Sequence, residues 1–330
     1  MNDVGLQKAI ETAHAVRSAL TTVIKGRLDT IQLVICALLA DGHVLLEDYP
    51  GSGKTTLTKT LGRLIAPSPV ASKQQIVQFR RIQFTPDLLP GDVLGVTIYD
   101  PKSAQFQFIH GPVFAHVVLA DEINRTGPKV QAAFLECMAE KQVTIDNHTY
   151  PLDEFFFVVG TQNPLDIAGT YPLPIVQLDR FLLKIPMSYV DAATEYEILK
   201  SHTTIREQGE QIQPVCTRDD IIAARRVVDQ VHISDHLRQA IVDIVHATRQ
   251  SSYIQFGAST RAALMLQSAL KSWALLQGRD HANEDDLKAV IGPVLLHRLK
   301  FHGGSADGAR ILKELAAPHI EALVKKGTRA

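Results

Sequence analysis

Apolar residues recur every three or four positions from Gln7 to Val23, at Ile10, Ala13, Val16 and Leu20. That spacing predicts a helix with one buried face. A denser apolar pattern from Leu28 to Ala40 predicts a second helix, stopped by Asp41-Gly42. The period then changes. His43 to Asp48, His116 to Ala120 and Phe155 to Gly160 are short, nearly continuous apolar runs, and Ile76 to Arg80 is a weaker one. Runs this brief, rich in Val, Leu and Phe, predict strands of a parallel sheet covered on both faces. A helix is expected from Thr55 to about Ile65, and helical stretches between the strands complete a βαβ rhythm.

After about Val190 strand signals become few. Helical periodicity marks Asp219 to Val231, His236 to Thr248, Thr260 to Leu276 and Asn283 to Val290, with Pro293 and Gly303-Gly304 as punctuation. A last helix, Ala309 to Val324, is expected to kink or split at Pro318. The chain thus reads as an α/β domain over 1–190 and an all-α domain over 191–330. Two alternating segments read as hairpins. In the first, Val96–Tyr99 and Gln105–Ile109 flank Asp100-Pro101-Lys102-Ser103; in the second, Gln142–Ile145 and Thr149–Leu152 flank Asp146-Asn147-His148.

Composition narrows the class further. With 330 residues and 45% apolar content the chain can bury a sizeable core. A net charge of -1 supplies no field toward nucleic acid or an anionic membrane. Cys36, Cys137 and Cys216 are an odd, scattered set that suits a reducing compartment. The start of the chain lacks a basic-then-apolar leader, and Leu33 to Ala40 is far short of the ~20 residues that cross a bilayer. A cytoplasmic protein without a membrane span is the expectation.

The chemistry gathers at strand ends. The run His43–Asp48 leads into Pro50-Gly51-Ser52-Gly53-Lys54-Thr55-Thr56, a glycine-rich turn opening a helix. Backbone N–H groups in such a turn can wrap the phosphates of ATP, with Lys54 reaching the β/γ-phosphates and the Thr55 hydroxyl ligating Mg²⁺. Asp48 stands where such loops usually begin with Gly. The second run ends in Asp121-Glu122; the first acid suits Mg²⁺ and the second a water-activating base, although an acidic strand end can also cap the next helix. The third ends in Thr161-Gln162-Asn163-Pro164, where Asn163 fits either a contact to water and γ-phosphate or a simple turn.

Taken in order, these segments resemble the MoxR family of AAA+ ATPases. Glu47 to Thr55 is similar to its Walker A segment and Ala120 to Arg125 to its Walker B. Thr161–Pro164, Gly169–Pro174 and Gln177-Leu178-Asp179-Arg180-Phe181 are similar to its sensor-1 and arginine-finger region. Arg80 to Gly95 resembles its helix-2 insert region and Phe256 to Arg261 its sensor-2 segment, with Thr260 where the family usually has Pro. The resemblance spans about residues 20–300 and implies a P-loop AAA+ core with a helical lid. It implies ATP and Mg²⁺ as ligands, Glu122 as base, Asn163 as sensor 1, and Asp121 with Thr55 at the metal. Ile24 and Gly26, in Val23-Ile24-Lys25-Gly26, would line the adenine pocket. Arg180 would act on a neighbouring subunit's nucleotide, with Arg125 the alternative, and Arg261 would touch the γ-phosphate of its own. The implied assembly is a homo-oligomeric ring, expected to be a hexamer, that remodels a client complex, often with a von Willebrand factor A domain protein. The hairpins would face the pore. A chelatase motor subunit, a nucleotide-switched scaffold and a DNA helicase or loader are the other readings, the last disfavoured by the charge.

Overall fold

The computed structural model describes residues 3–49, 51–68, 76–163, 169–304 and 307–327. Five strands form its central sheet: β1 (Val44–Asp48), β2 (Val77–Gln83), β3 (Ala115–Asp121), β4 (Phe157–Gln162) and β5 (Leu183–Met187). They lie in the order β5-β1-β4-β3-β2, every pair parallel. The centre of the sheet follows the apolar runs, and every residue of β3 is buried. The hydrophobic pattern does not predict β5. Lys184 and Pro186 interrupt its apolar residues, and an edge position with β1 as its one neighbour tolerates both. The other edge, β2, has Arg80 and Arg81 exposed, which is why its signal is weak.

Two helices, α1 (Asp3–Val23) and α2 (Leu28–Leu39), precede the sheet, and α3 (Lys54–Leu64) follows β1. On one face the sheet shares a core with these and with the C-terminal helices; Val44, Leu119, Ile35, Leu61, Ile244 and Leu275 belong to it. On the other face Leu45, Val158, Phe84, Phe156 and Phe181 pack with Phe134 of α4 (Pro128–Glu140). Gly160 in β4 has a steric cause, since a Cβ there would stand 2.9 Å from the ring of Phe181. Buried His43 fastens the layers: Nε2 donates to the Met138 carbonyl at 3.1 Å, and Nδ1 accepts from the Val158 N–H at 3.1 Å. Burial pushes its pKa down to about 4.

Beyond β5 the chain is almost wholly helical: α5 (Ala192–Gln211), α6 (Arg218–Gln230), α7 (Asp235–Gln250), α8 (Thr260–Leu276), α9 (Glu284–Leu295) and α10 (Gly308–Gly327). Apolar periodicity misses α5 because none of its residues is buried. Pro293 lies inside α9 and Pro318 inside α10, and neither ends its helix. A proline removes one intrahelical hydrogen bond, and buried Ile311, Leu312, Ala316 and Ile320 on both sides of Pro318 hold α10 to the core. Helix α8 is joined to α2 by Ser272 Oγ donating to the Cys36 carbonyl at 2.7 Å. All three cysteines are buried and free.

Both hairpins form, as Gly95–Asp100 with Gln105–His110 and as Gln142–Ile145 with His148–Pro151. The second turns on Asp146-Asn147 alone, at φ 49 and 64, the left-handed pair that a two-residue hairpin turn requires. The first leaves Tyr99 and Phe106 in an exposed edge-to-face ring pair at 5.3 Å.

Candidate active site

Asp48 ends β1 and Tyr49 leads into the loop. Pro50 lies outside the described residues. Gly51 and Gly53 adopt φ +83 and +91, and a Cβ at either would meet nothing within 4 Å. The requirement there is conformational, and the space around the loop is open. Gly53 caps α3, so the helix begins at Lys54 and its N-terminus faces the loop. Ser52 Oγ is buried with no hydrogen-bond partner among the described residues. A glycine loop at a helix N-terminus and an orphaned hydroxyl fit an oxyanion of the phosphate class.

Beside the loop lies a cavity of about 780 Å³, lined by Gly51, Ser52, Gly53, Thr55, Thr56, Lys59, Val23, Ile24 and Lys25 and by Tyr189, Ile198 and Ile205. Helix α5 spans it, held at one end by Gly209, whose carbonyl accepts from Arg63 Nη1 at 2.7 Å. Gly26 lines an adjoining cavity of about 790 Å³ that shares Ile24, Lys25 and Tyr189. The Tyr189 ring stacks on Tyr49 at 5.5 Å between centroids.

Asp121, 2% exposed at the end of β3, is the electrostatic centre. Its Oδ1 lies 3.1 Å from Lys54 Nζ and accepts from Thr161 Oγ1 at 2.8 Å. Its Oδ2 accepts from Arg81 Nη2 at 2.6 Å and Nε at 3.0 Å. Burial by itself would raise the Asp121 carboxyl, but the hydrogen bonds from Arg81 and Thr161 and the charge of Lys54 bring it below its ordinary value. A carboxylate kept ionised beside Lys54 of the phosphate loop has the oxygen-donor chemistry of a Mg²⁺ site.

Glu122 occupies the left-handed region at φ 57, a conformation that costs a non-glycine residue about 1–3 kcal/mol and collects at functional sites. Its N–H donates to Thr161 Oγ1 at 2.8 Å. Its Oε2 meets Arg125 Nε at 2.9 Å and Gln83 Nε2 at 3.1 Å. Gln162 pairs in register with Glu47, which sets Asn163 at the level of the P-loop entry.

The structure puts the two candidate arginines elsewhere. Arg180 Nη1 donates to the Leu135 carbonyl of α4 at 2.9 Å. Arg261 stands with Nε 3.7 Å from Asp179. Neither lines the two cavities among the described residues. The lid packs on α1, α2 and the β5 edge and carries Arg261 to Asp179. At the start of α8 the cap is Ser259, whose hydroxyl accepts from the Ala262 N–H, and Thr260 is the first helical residue.

Residues 43–183 match the model of the AAA ATPase family associated with various cellular activities, and residues 246–315 match that of the AAA lid domain. The chain is 35% identical to Chaperone MoxR1 of Mycobacterium tuberculosis over 98% of its own length and 87% of that protein. The chain belongs to the MoxR family of AAA+ ATPases. It is also 44% identical over 85% of its length to the uncharacterised protein YeaC of Bacillus subtilis, covering 84% of that protein. A crystal structure of a provisionally assigned ATPase from Cytophaga hutchinsonii superposes with a TM-score of 0.82 at 37% identity, covering 94% of this chain and 95% of that one. The activity of this MoxR-family chain is ATP hydrolysis.

Three residues of its site lie within the resembling segments, yet their sequence assigns them no role. Thr161 braces both acids, yet it reads as filler between a strand and Asn163. Arg81 and Gln83 reach Asp121 and Glu122 from β2, where Gln83 pairs in register with Asp121. Strand order alone brings them there, and an alternation of polar residues ending the weak run would have been the only hint.

Proposed function

We propose that the chain assembles as a ring, a hexamer by family resemblance, in which each nucleotide is bound by one subunit and its cleavage completed by the next. The observation that carries this reading is the separation of charges. Lys54, Asp121 and Glu122 gather at the phosphate loop, while Arg180 bonds the Leu135 carbonyl and Arg261 faces Asp179, neither paired with any of those three among the described residues. An arginine supplied from a neighbour is worth about 10³–10⁵ in rate in other phosphoryl transfers.

In the proposed mechanism Lys54 leaves Asp121 for the β/γ-phosphates of ATP. Thr55 and Asp121 would hold Mg²⁺, which when bound would neutralise charge on the phosphate oxygens. Glu122 accepts a proton from water as its oxygen attacks the γ-phosphorus, and the bond to the β–γ bridging oxygen breaks to release ADP. Asn163 orients the water. Ile24, Gly26 and the backbone of 50–53 seat the nucleotide. The neighbour's Arg180 offsets charge on the transferred group, with Arg261 beside it, also acting across the interface. Arg125, bound to Glu122 of its own chain, serves better as a holder of the base than as the finger.

The working units are the domains 1–190 and 191–330. The output is chaperone-like remodelling, maturation or metal loading of a client complex in the cytoplasm, with a von Willebrand factor A domain protein as adaptor; the name Chaperone MoxR1 of the Mycobacterium relative supports a chaperone role. Neither nucleic acid nor membrane is expected as a partner, and among the described residues no helix is long and apolar enough to cross a bilayer. The test is a pull-down with Glu122→Gln, which should hold ATP and client together. Recovery of the same partners with and without ATP would contradict nucleotide-gated client binding. Turnover per subunit should also rise with protein concentration as rings form.

A further inference from the structure

Arg298 follows α9 in the lid and is one of the most buried charges of the molecule, its side chain 2% exposed. Nothing in the proposed chemistry uses it. Its guanidinium nevertheless grips the segment on both sides of Arg180. Nε donates to Asp179 Oδ1 at 2.7 Å, Nη2 to the carbonyls of Phe181 at 2.6 Å and Asp179 at 3.4 Å, and Nη1 to the Leu182 carbonyl at 3.2 Å. Nη1 also meets the Val294 carbonyl, and His297 Nε2 reaches Phe181 O at 3.1 Å. The other oxygen of Asp179 faces Arg261. Met265, one helical turn beyond Arg261, packs its sulfur on the same guanidinium.

A buried charge this thoroughly bonded is costly to install unless its geometry has a use. We infer that Arg298 is the positioning residue for Arg180 and Arg261, locking the lid to the segment 179–182 so that both cations are presented to the neighbouring subunit in one fixed register. The planar fork matters: it meets a carboxylate and four carbonyls at once, which a lysine cannot. Misplacing a reacting group by ~1 Å can cost about 10²-fold. The inference rests on the reading of Arg180 as a finger acting in trans.

The experiment compares Arg298→Met and Arg180→Ala, each assayed alone and mixed with excess Lys54→Ala subunits, which keep a finger but cannot use ATP. Arg298→Met alone should lose roughly 10–100-fold in kcat while binding a fluorescent ATP analogue within about twofold of wild type. Lys54→Ala subunits should restore its turnover, because they bring an intact finger to its intact loop. Arg298→Lys should lose turnover and be rescued in the same way, and it carries the test if the Met variant fails to fold. Wild-type kcat in the Arg298 variants overturns the proposal. So does a loss that mixing cannot restore while Arg180→Ala is restored. If Arg180→Ala also resists rescue, the finger reading itself has failed.

Discussion

At the phosphate loop the ionic contacts are open, whereas at the finger they are closed. Lys54 is 19% exposed and Arg81 48% exposed, and both neutralise an Asp121 that must face a bound nucleotide. Arg298 is almost wholly enclosed by backbone carbonyls and the Asp179 carboxylate. The difference follows from what each end has to do. Contacts at the loop must be exchanged for phosphate on each cycle, so the cations that meet the buried Asp121 there keep part of their surface in solvent. Contacts at the finger must survive the cycle unchanged, and burial makes them expensive to break.

This contrast is broken most severely by removing the base. Glu122→Gln should cut turnover by about 10²–10⁴ with ATP binding retained, measured by phosphate release and by equilibrium titration. Unchanged turnover would remove Glu122 from the reaction. Thr161→Val comes next, because one buried hydroxyl serves Asp121 and the Glu122 N–H. Losing a hydrogen bond to a charged group costs about 1.5–3 kcal/mol, so Mg·ATP affinity or turnover should drop roughly 10–100-fold, and an effect under twofold would show that the brace is dispensable. The smallest effect on turnover falls on the scaffold, where the change is in stability. His43 is neutral when folded, with a pKa near 4 against an ordinary 6.5. Between those values the unfolded chain takes up a proton that the folded chain does not, so stability is lost as pH falls from 6.5 toward 4, by on the order of 3 kcal/mol. Denaturation midpoints should show that slope, and His43→Gln should flatten it.

Much of this arrangement is legible in the sequence where chemistry and hydrophobicity coincide. β3 is a continuous apolar run ending in two acids, and β1 runs straight into its glycine loop, so strand and site announce each other. Edge and lid features are less legible. β5 alternates with a lysine and a proline, and α5 buries no residue because one side of it spans a cavity. Thr161 and Gln83 gain their roles from strand register, and Asp179 and Arg298 lie 119 residues apart. Local patterns report what a residue does to its own element; these residues act on another.

The central claim is that one subunit's loop works with another's finger, and the most direct measurement mixes Arg180→Ala with Lys54→Ala. Each alone should be nearly inactive. In an equal mixture about one quarter of head-to-tail interfaces pair an intact loop with an intact finger, so turnover should rise toward that fraction of wild type. A mixture no more active than its two components at every protein concentration would contradict the account.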